Sequence, residues 1–167
     1  ADQPTIQAGI DAAMNGDTVL VSSGTYAENI SFSGKNIKLL SLKGAEATKI
    51  IGAPSGSEIV SFVNNEPKGA EINGFTITGG TKGGIYCLNS SPTIVNNIIT
   101  TNSSSKTNDG GGINLKNTVN SLISKNIIYN NTSQYGTAIH VGDNGIGSQN
   151  DTICYNLIYS NSGSWEI

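Results

Sequence analysis

A chain of 167 residues with a net charge of −3 and 13% charged residues is one domain's length, enough to bury a core, and lacks the basic surplus of a nucleic-acid binder. All nine cations are lysines, so the bidentate arginine clamp for carboxylates and phosphates is absent. No apolar run reaches the roughly 18 residues of a membrane-spanning helix, and the start at Ala1-Asp2 reads as a mature or trimmed product with no signal peptide.

The first element is a helix. In "TIQAGIDAAMNGD", Ile6, Ile10, Ala13 and Met14 recur at helical spacing, with Thr5 placed to cap the start and Gly16 to stop it. A capping α-helix is therefore expected within residues 1–16, as a lid over the strand edges and core that the first turn of a repeat array would expose. Residues 17–167 read as coils of one domain.

The segments "DTVLV", "KNIKLLSL" and "EIVSFV" follow, each short and β-rich. A loose quartet, Ile72, Phe75, Ile77 and Gly80, then gives way to three strict ones. Ile94, Asn97, Ile99 and Asn102 return as Ile123, Asn126, Ile128 and Asn131, and again as Ile153, Asn156, Ile158 and Asn161. A second column runs through "GGIYCL", "GGINLK" and "GTAIHV", with Ile85, Ile113 and Ile139 in register. Returns every roughly 20 to 30 residues are the period of a solenoid. The segments are β-branched and bounded by Gly, Asn, Ser and Thr, so they are strands and turns. Gly and Asn interrupt every window of helical length.

One coil cannot cover its own apolar side chains, whereas stacked coils bury isoleucine on isoleucine. Asparagine suits the corners because it tolerates left-handed backbone, and in stacked coils its amide can donate one way and accept the other. Asn97, Asn126 and Asn156 are the expected internal ladder. Cys87 and Cys154 fall between two and three coils apart in this register. At about 4.8 Å per coil that is too far for a disulfide, so both are expected as free, mostly buried thiols. After "NLIYSN" only "SGSWEI" remains. Either Trp165 folds over the last coil, or the solenoid continues in a longer parent chain; the second is the expectation, since solenoids use distinct terminal caps.

"PTIQAGIDAAMNGDTVLVSSGTYAENISFSGKNIKLLS" resembles the opening of parallel β-helix proteins of the pectin-lyase-like superfamily. "INGFTITGG" and "GGIYCLNSSPTIVNNIIT" resemble the repeats of bacterial surface and secreted β-helix proteins, and GGI is similar to the GGA-I repeats of polymorphic outer-membrane proteins. The resemblance implies an all-β, single-stranded, right-handed parallel β-helix of about six coils. It also implies an extracellular or cell-surface setting and a polysaccharide or cell-surface partner. The superfamily spans lyases, hydrolases, epimerases and noncatalytic adhesins, so shared fold does not fix the chemistry.

A polysaccharide lyase needs a base for the proton alpha to a uronate carboxylate and a cation for the resulting anion. Lys116, Lys125 and His140, with Tyr129 beside them on an outward face, are the candidates for that runner-up reading. Glycoside hydrolysis needs converging carboxylates, and Glu71, Asp109, Asp143 and Asp151 form no paired motif. The oxygen-rich stretch 142–151 makes Asp143 and Asp151 calcium candidates, although it matches no EF-hand or β-roll loop. Cysteine and histidine sit at no zinc spacing. The insertions 103–110 and 143–151 are where solenoid binding loops arise. Tyr129 and Tyr159 occupy equivalent outward positions and offer flat amphipathic rings. A regular threonine array of the ice-binding kind breaks at Tyr129-Asn130. The expectation is thus a noncatalytic domain binding through Tyr129, Tyr159, Asp109 and Asp143, without a required cofactor. An open last coil would also allow two copies to pair end to end.

Overall fold

The inward side chains stack in unbroken columns. Ile72, Ile94, Ile123 and Ile153 are register partners, as are Ile50, Ile77, Ile99, Ile128 and Ile158. Val60, Ile85, Ile113 and Ile139 form a third column. From Ile72, Ile77 and Ile85 onward these are the pairings that the repeat spacing predicts; Ile50 and Val60 join the columns where the sequence spacing sets no register. The resulting architecture is a parallel β-solenoid of about five turns with one short helix near the N-terminus, seen in a computed structural model that describes residues 2–54, 57–105, 110–142 and 147–165.

Sheet A stacks strands Thr18–Val21, Lys38–Ser41, Glu71–Asn73, Thr93–Val95, Leu122–Ser124 and Thr152–Cys154. Sheet B stacks Gly24–Ala27, Thr48–Ile51, Thr76–Thr78, Ile98–Thr100, Ile127–Tyr129 and Leu157–Tyr159. Sheet C stacks Ile30–Ser31, Val60–Phe62, Ile85–Leu88, Ile113–Lys116 and Ile139–Gly142. A small sheet D joins Ser103–Ser104, Thr132–Tyr135 and Ser162–Trp165 beside the last turns. Two sheets therefore carry the six rungs that the sequence suggests, and the sixth turn is not completed in sheet C. The core is aliphatic and aromatic: Leu39, Ile50, Phe62, Ile77, Ile94, Ile99, Ile123 and Ile128 are all fully buried. Phe32 and Phe62 stack with ring centroids 4.2 Å apart.

The helix spans Ile6–Ala12 and buries Ile6 and Ile10. Thr5 caps it as expected, its side chain accepting from Ala8 N. It ends one turn earlier than the apolar spacing suggests, because Met14 N donates to the Asp17 carboxylate at 2.8 Å instead of to a helical carbonyl. Met14 is consequently exposed and takes no part in the core.

The corners divide their labour between neighbouring residues. Left-handed backbone falls on Gly74, Asn96, Lys125 and Tyr155 between sheets A and B. It falls on Gly79, Thr101, Asn130 and Ser160 at the next corner. In the six later corners the ladder asparagine is the following residue and stays outside the left-handed region, while Gly74 and Gly79 precede Phe75 and Gly80. Sequence reasoning assigns both roles to one asparagine, so this is a correction. A side chain that must lie inward between rungs needs the turn completed one residue earlier.

There are two ladders. Phe75 N donates to Asn97 Oδ1, Asn97 N to Asn126 Oδ1 and Asn126 N to Asn156 Oδ1, at 2.9 to 3.0 Å. Gly80 N, Asn102 N and Asn131 N donate in the same way to Asn102, Asn131 and Asn161. Each Nδ2 donates back to an isoleucine carbonyl on the preceding rung, as from Asn126 to Ile94 and from Asn131 to Ile99. Each buried amide is thereby satisfied without water. Cys87 and Cys154 are free, in sheets C and A respectively; Cys87 is buried and Cys154 half-buried.

Candidate functional site

The outer face of sheet C gathers polar groups by register. Inward Ile113 and Leu115 turn Asn114 and Lys116 outward. The pairing of strands then places Tyr86, Asn114 and His140 in one column, with Ser61 preceding them. His140 Nδ1 lies 2.9 Å from Asn114 Oδ1. With an amide oxygen there, the imidazole donates from Nδ1, which leaves Nε2 as the acceptor. The Lys116 ammonium stands 5.8 Å from the centroid of the Tyr86 ring, within cation–π range. Asn114 is buried, while Tyr86, Lys116 and His140 are half-exposed. This face can orient hydroxyl groups, present one cation and offer an aromatic edge.

The outer face of sheet B is different. Tyr129 and Tyr159 are register partners, and their rings stack with centroids 5.0 Å apart and planes within 1°. Their faces are therefore turned along the solenoid axis, one upon the other, rather than laid flat for a sugar. Ile98, Ile127 and Leu157 form the adjacent outward column. This face is aliphatic and aromatic.

The runner-up catalytic set does not assemble. Lys116 and His140 share sheet C, Tyr129 belongs to sheet B, and Lys125 occupies an exposed left-handed corner between sheets A and B. Asp109 and Asp143 lie outside the described residues.

Asp151 ties one corner of the coil together. Its Oδ1 accepts from Ser121 N at 2.7 Å and its Oδ2 from Thr118 Oγ1. Glu66 does the same work three rungs earlier in the corner between sheets C and A. It accepts from Gly34 N, Asn64 N and Ser90 Oγ at 2.7 to 2.9 Å while almost fully buried. Burial pushes the Cys87 thiol well above its ordinary value, with Glu66 and Asp151 adding to the shift. Among the described residues no three His, Cys, Asp or Glu side chains gather to hold a metal ion.

Sequence reasoning passes over Asn114, although the signal is present. Reading the "GGIYCL", "GGINLK" and "GTAIHV" column through its outward positions places Asn114 between Tyr86 and His140. Glu66 is equally hidden, because an acid inside a turn of "NNEPKG" looks solvated. Comparison with family models, curated proteins and solved structures gives no match for this chain.

Proposed function

We propose that this chain is a noncatalytic extracellular or cell-surface β-solenoid domain that binds a uronate-containing polysaccharide through the outer face of sheet C. The observation that carries the reading is the column of Tyr86, Asn114 and His140 with Lys116 beside it. Stacked strands repeat at about 4.8 Å, so these groups offer donors, an acceptor and a cation in a row along an extended chain. Lys116 suits the carboxylates, and His140, held by Asn114, suits ring hydroxyls. The likeness of the repeats to pectin-lyase-like proteins supports the same class of ligand. The separation of Lys125 and Tyr129 from His140 argues against the runner-up, a lyase or epimerase on the same polymers.

The test is affinity electrophoresis in gels containing polygalacturonate or alginate, together with an absorbance assay for unsaturated uronate. Retardation without absorbance is expected, and it should be lost in Tyr86→Ala/His140→Ala. Absorbance that grows with time would transfer the protein to the lyase reading. Migration unchanged by either polymer would end the carbohydrate reading.

A further inference from the structure

The tyrosine pair on sheet B stands out in the sequence and is left without a role by the polysaccharide reading. Tyr129 and Tyr159 are register partners on neighbouring strands, and their rings stack with centroids 5.0 Å apart and planes within 1°. Both side chains leave parallel strands at the same register and lie parallel, so equivalent ring atoms are separated by about the same distance. Tyr129 has a rung on either side and is still only half-buried. A small oxidant in solution therefore reaches the pair, whatever the exposure of the last rung. The adjacent outward column, Ile98, Ile127 and Leu157, is aliphatic and does not compete for a mild oxidant.

We propose that Tyr129 and Tyr159 are a site of oxidative cross-linking, where a peroxide-driven one-electron oxidant joins the two rings as an intramolecular dityrosine. Each phenol loses its hydroxyl proton and one electron, which leaves a phenoxyl radical with spin on the ring carbons ortho to oxygen. One such carbon from each ring, a Cε, then shares its unpaired electron in a new carbon–carbon bond. Each joined carbon releases its hydrogen as a proton, each phenolic oxygen takes one up, and both rings are aromatic again. The pair has lost two hydrogen atoms. Hydrogen peroxide, acting through a haem peroxidase, accepts them and leaves as two molecules of water.

The geometry favours this bond over its competitors. The rings must close by about 1.5 Å to bring carbon to carbon at about 3.5 Å, a movement that rotation of exposed side chains supplies. Two radicals held at one spacing couple as an intramolecular step, ahead of encounters between molecules. Tyr155 is the counter-example. It is 85% exposed at the corner between sheets A and B and, among the described residues, stacks on no ring. The Tyr129–Tyr159 bond would close one complete coil into a covalent ring, since the two residues hold the same place on successive rungs. Such a link restricts the unfolded chain, as a disulfide does. The pair is separate from the sheet C face assigned to polysaccharide, and either reading can fail alone.

In the test the intact chain, carrying Cys154→Ala so that its half-buried thiol cannot quench the radicals, is treated with peroxidase and limiting hydrogen peroxide. Monomeric protein lighter by two hydrogen atoms is expected, with the blue fluorescence of dityrosine. Peptide mapping of the unfolded product should place the link between Tyr129 and Tyr159. Tyr129→Phe and Tyr159→Phe keep both rings, and each should cut the intramolecular yield at least about tenfold, while Tyr155→Phe leaves it unchanged. Absence of dityrosine, dityrosine formed only between molecules, or an intramolecular link that survives Tyr129→Phe would each overturn the proposal.

Discussion

The first and the last described rungs of this solenoid meet their edges differently. At the N-terminal end the edges are served by specific side chains. The Gln7 amide imitates a peptide group, accepting from Ser31 N at 2.8 Å and donating to Ser31 O at 3.2 Å. Glu28 accepts from Ile6 N and Gln7 N at the start of the helix, and Lys35 donates to the carbonyls of Ile10, Asp11 and Ala13 at its end. Asn15 accepts from Asn36 N. Beneath this lid Val21 and Ile30 are almost fully buried, while Val19 and Tyr26, which head the columns of Leu39 and Ile50, are half-buried. At the C-terminal end the repeat simply runs on, with Ile153, Asn156, Ile158 and Asn161 in the same register as the interior. The contrast teaches that a repeat solves the interior of a solenoid and leaves its ends to be solved case by case. A lid needs residues that break the pattern, as Gln7, Glu28 and Lys35 do.

If that is right, identical substitutions should cost far more in the interior than at the last rung. The largest gap is expected between Phe62→Ala and Ile158→Ala. Phe62 is fully buried against Phe32, and its loss should cost about 3 to 5 kcal/mol. Ile158 is 47% exposed and should cost about 1 kcal/mol. Urea unfolding of the two variants measures the difference, and equal losses would break the comparison by showing that the end rung is packed like the interior. The next gap lies within one ladder. Asn126→Ala leaves the buried Asn97 N–H without its acceptor and takes the side-chain donor from the Ile94 carbonyl, at about 3 kcal/mol. Asn156→Ala takes the acceptor from Asn126 N–H in the same way, but at a half-exposed position where water can replace the lost amide, and should cost about 1 kcal/mol.

Much of this molecule is legible in the chain because the period of the sequence is the length of a coil. Isoleucines at the same place in a repeated motif must lie over one another if the coils close, so the columns of Ile94, Ile123 and Ile153 follow from aligning the repeats. Roles within a corner are not legible in that way. In "NN" at Asn96-Asn97 the left-handed residue and the ladder residue have the same name, and only "KN" and "YN" in the later coils separate them. Tyr129 and Tyr159 are identifiable as outward neighbours, yet the direction of their ring planes depends on side-chain rotation that no spacing reveals. The polar column of sheet C needs three separate strands read together. Glu66 and Asp151 have to be seen from inside, where each carboxylate accepts from N–H and O–H donors of the adjoining chain.

A smaller effect sharpens the N-terminal half of the comparison. Glu28→Ala removes the only anion at the helix start seen among the described residues, and Lys35→Met removes the cation that holds three carbonyls at its end. Each should cost about 1 to 2 kcal/mol by combined hydrogen-bond and dipole terms. The loss should be local: hydrogen exchange should quicken in Ile6–Ala12 and at Ser31, while the amides of the Asn126 rung stay protected. Uniform quickening along the solenoid would mean that the lid is the first domino of global unfolding rather than a separable cover.

The smallest effect at neutral pH, and the one that isolates a single interior group, comes from Cys87. Burial, aided by the Glu66 and Asp151 charges, raises its thiol well above the ordinary 9.0. The folded state therefore holds a proton that the unfolded chain releases. Below about pH 9 both states keep it and stability is indifferent to pH on this account. Above that value the unfolded state binds fewer protons, so stability falls as pH rises, by as much as about 1.4 kcal/mol per pH unit from this group. Urea unfolding between about pH 8 and 10.5 should show the decline, and Cys87→Ala should flatten it by one group's worth while lowering stability at every pH. A thiol reagent at about pH 8 should label Cys154 in the folded protein and reach Cys87 only on unfolding. An unchanged slope in Cys87→Ala, or rapid native labelling at Cys87, would place that rung in contact with solvent, and the interior would then resemble the open end more than the closed one.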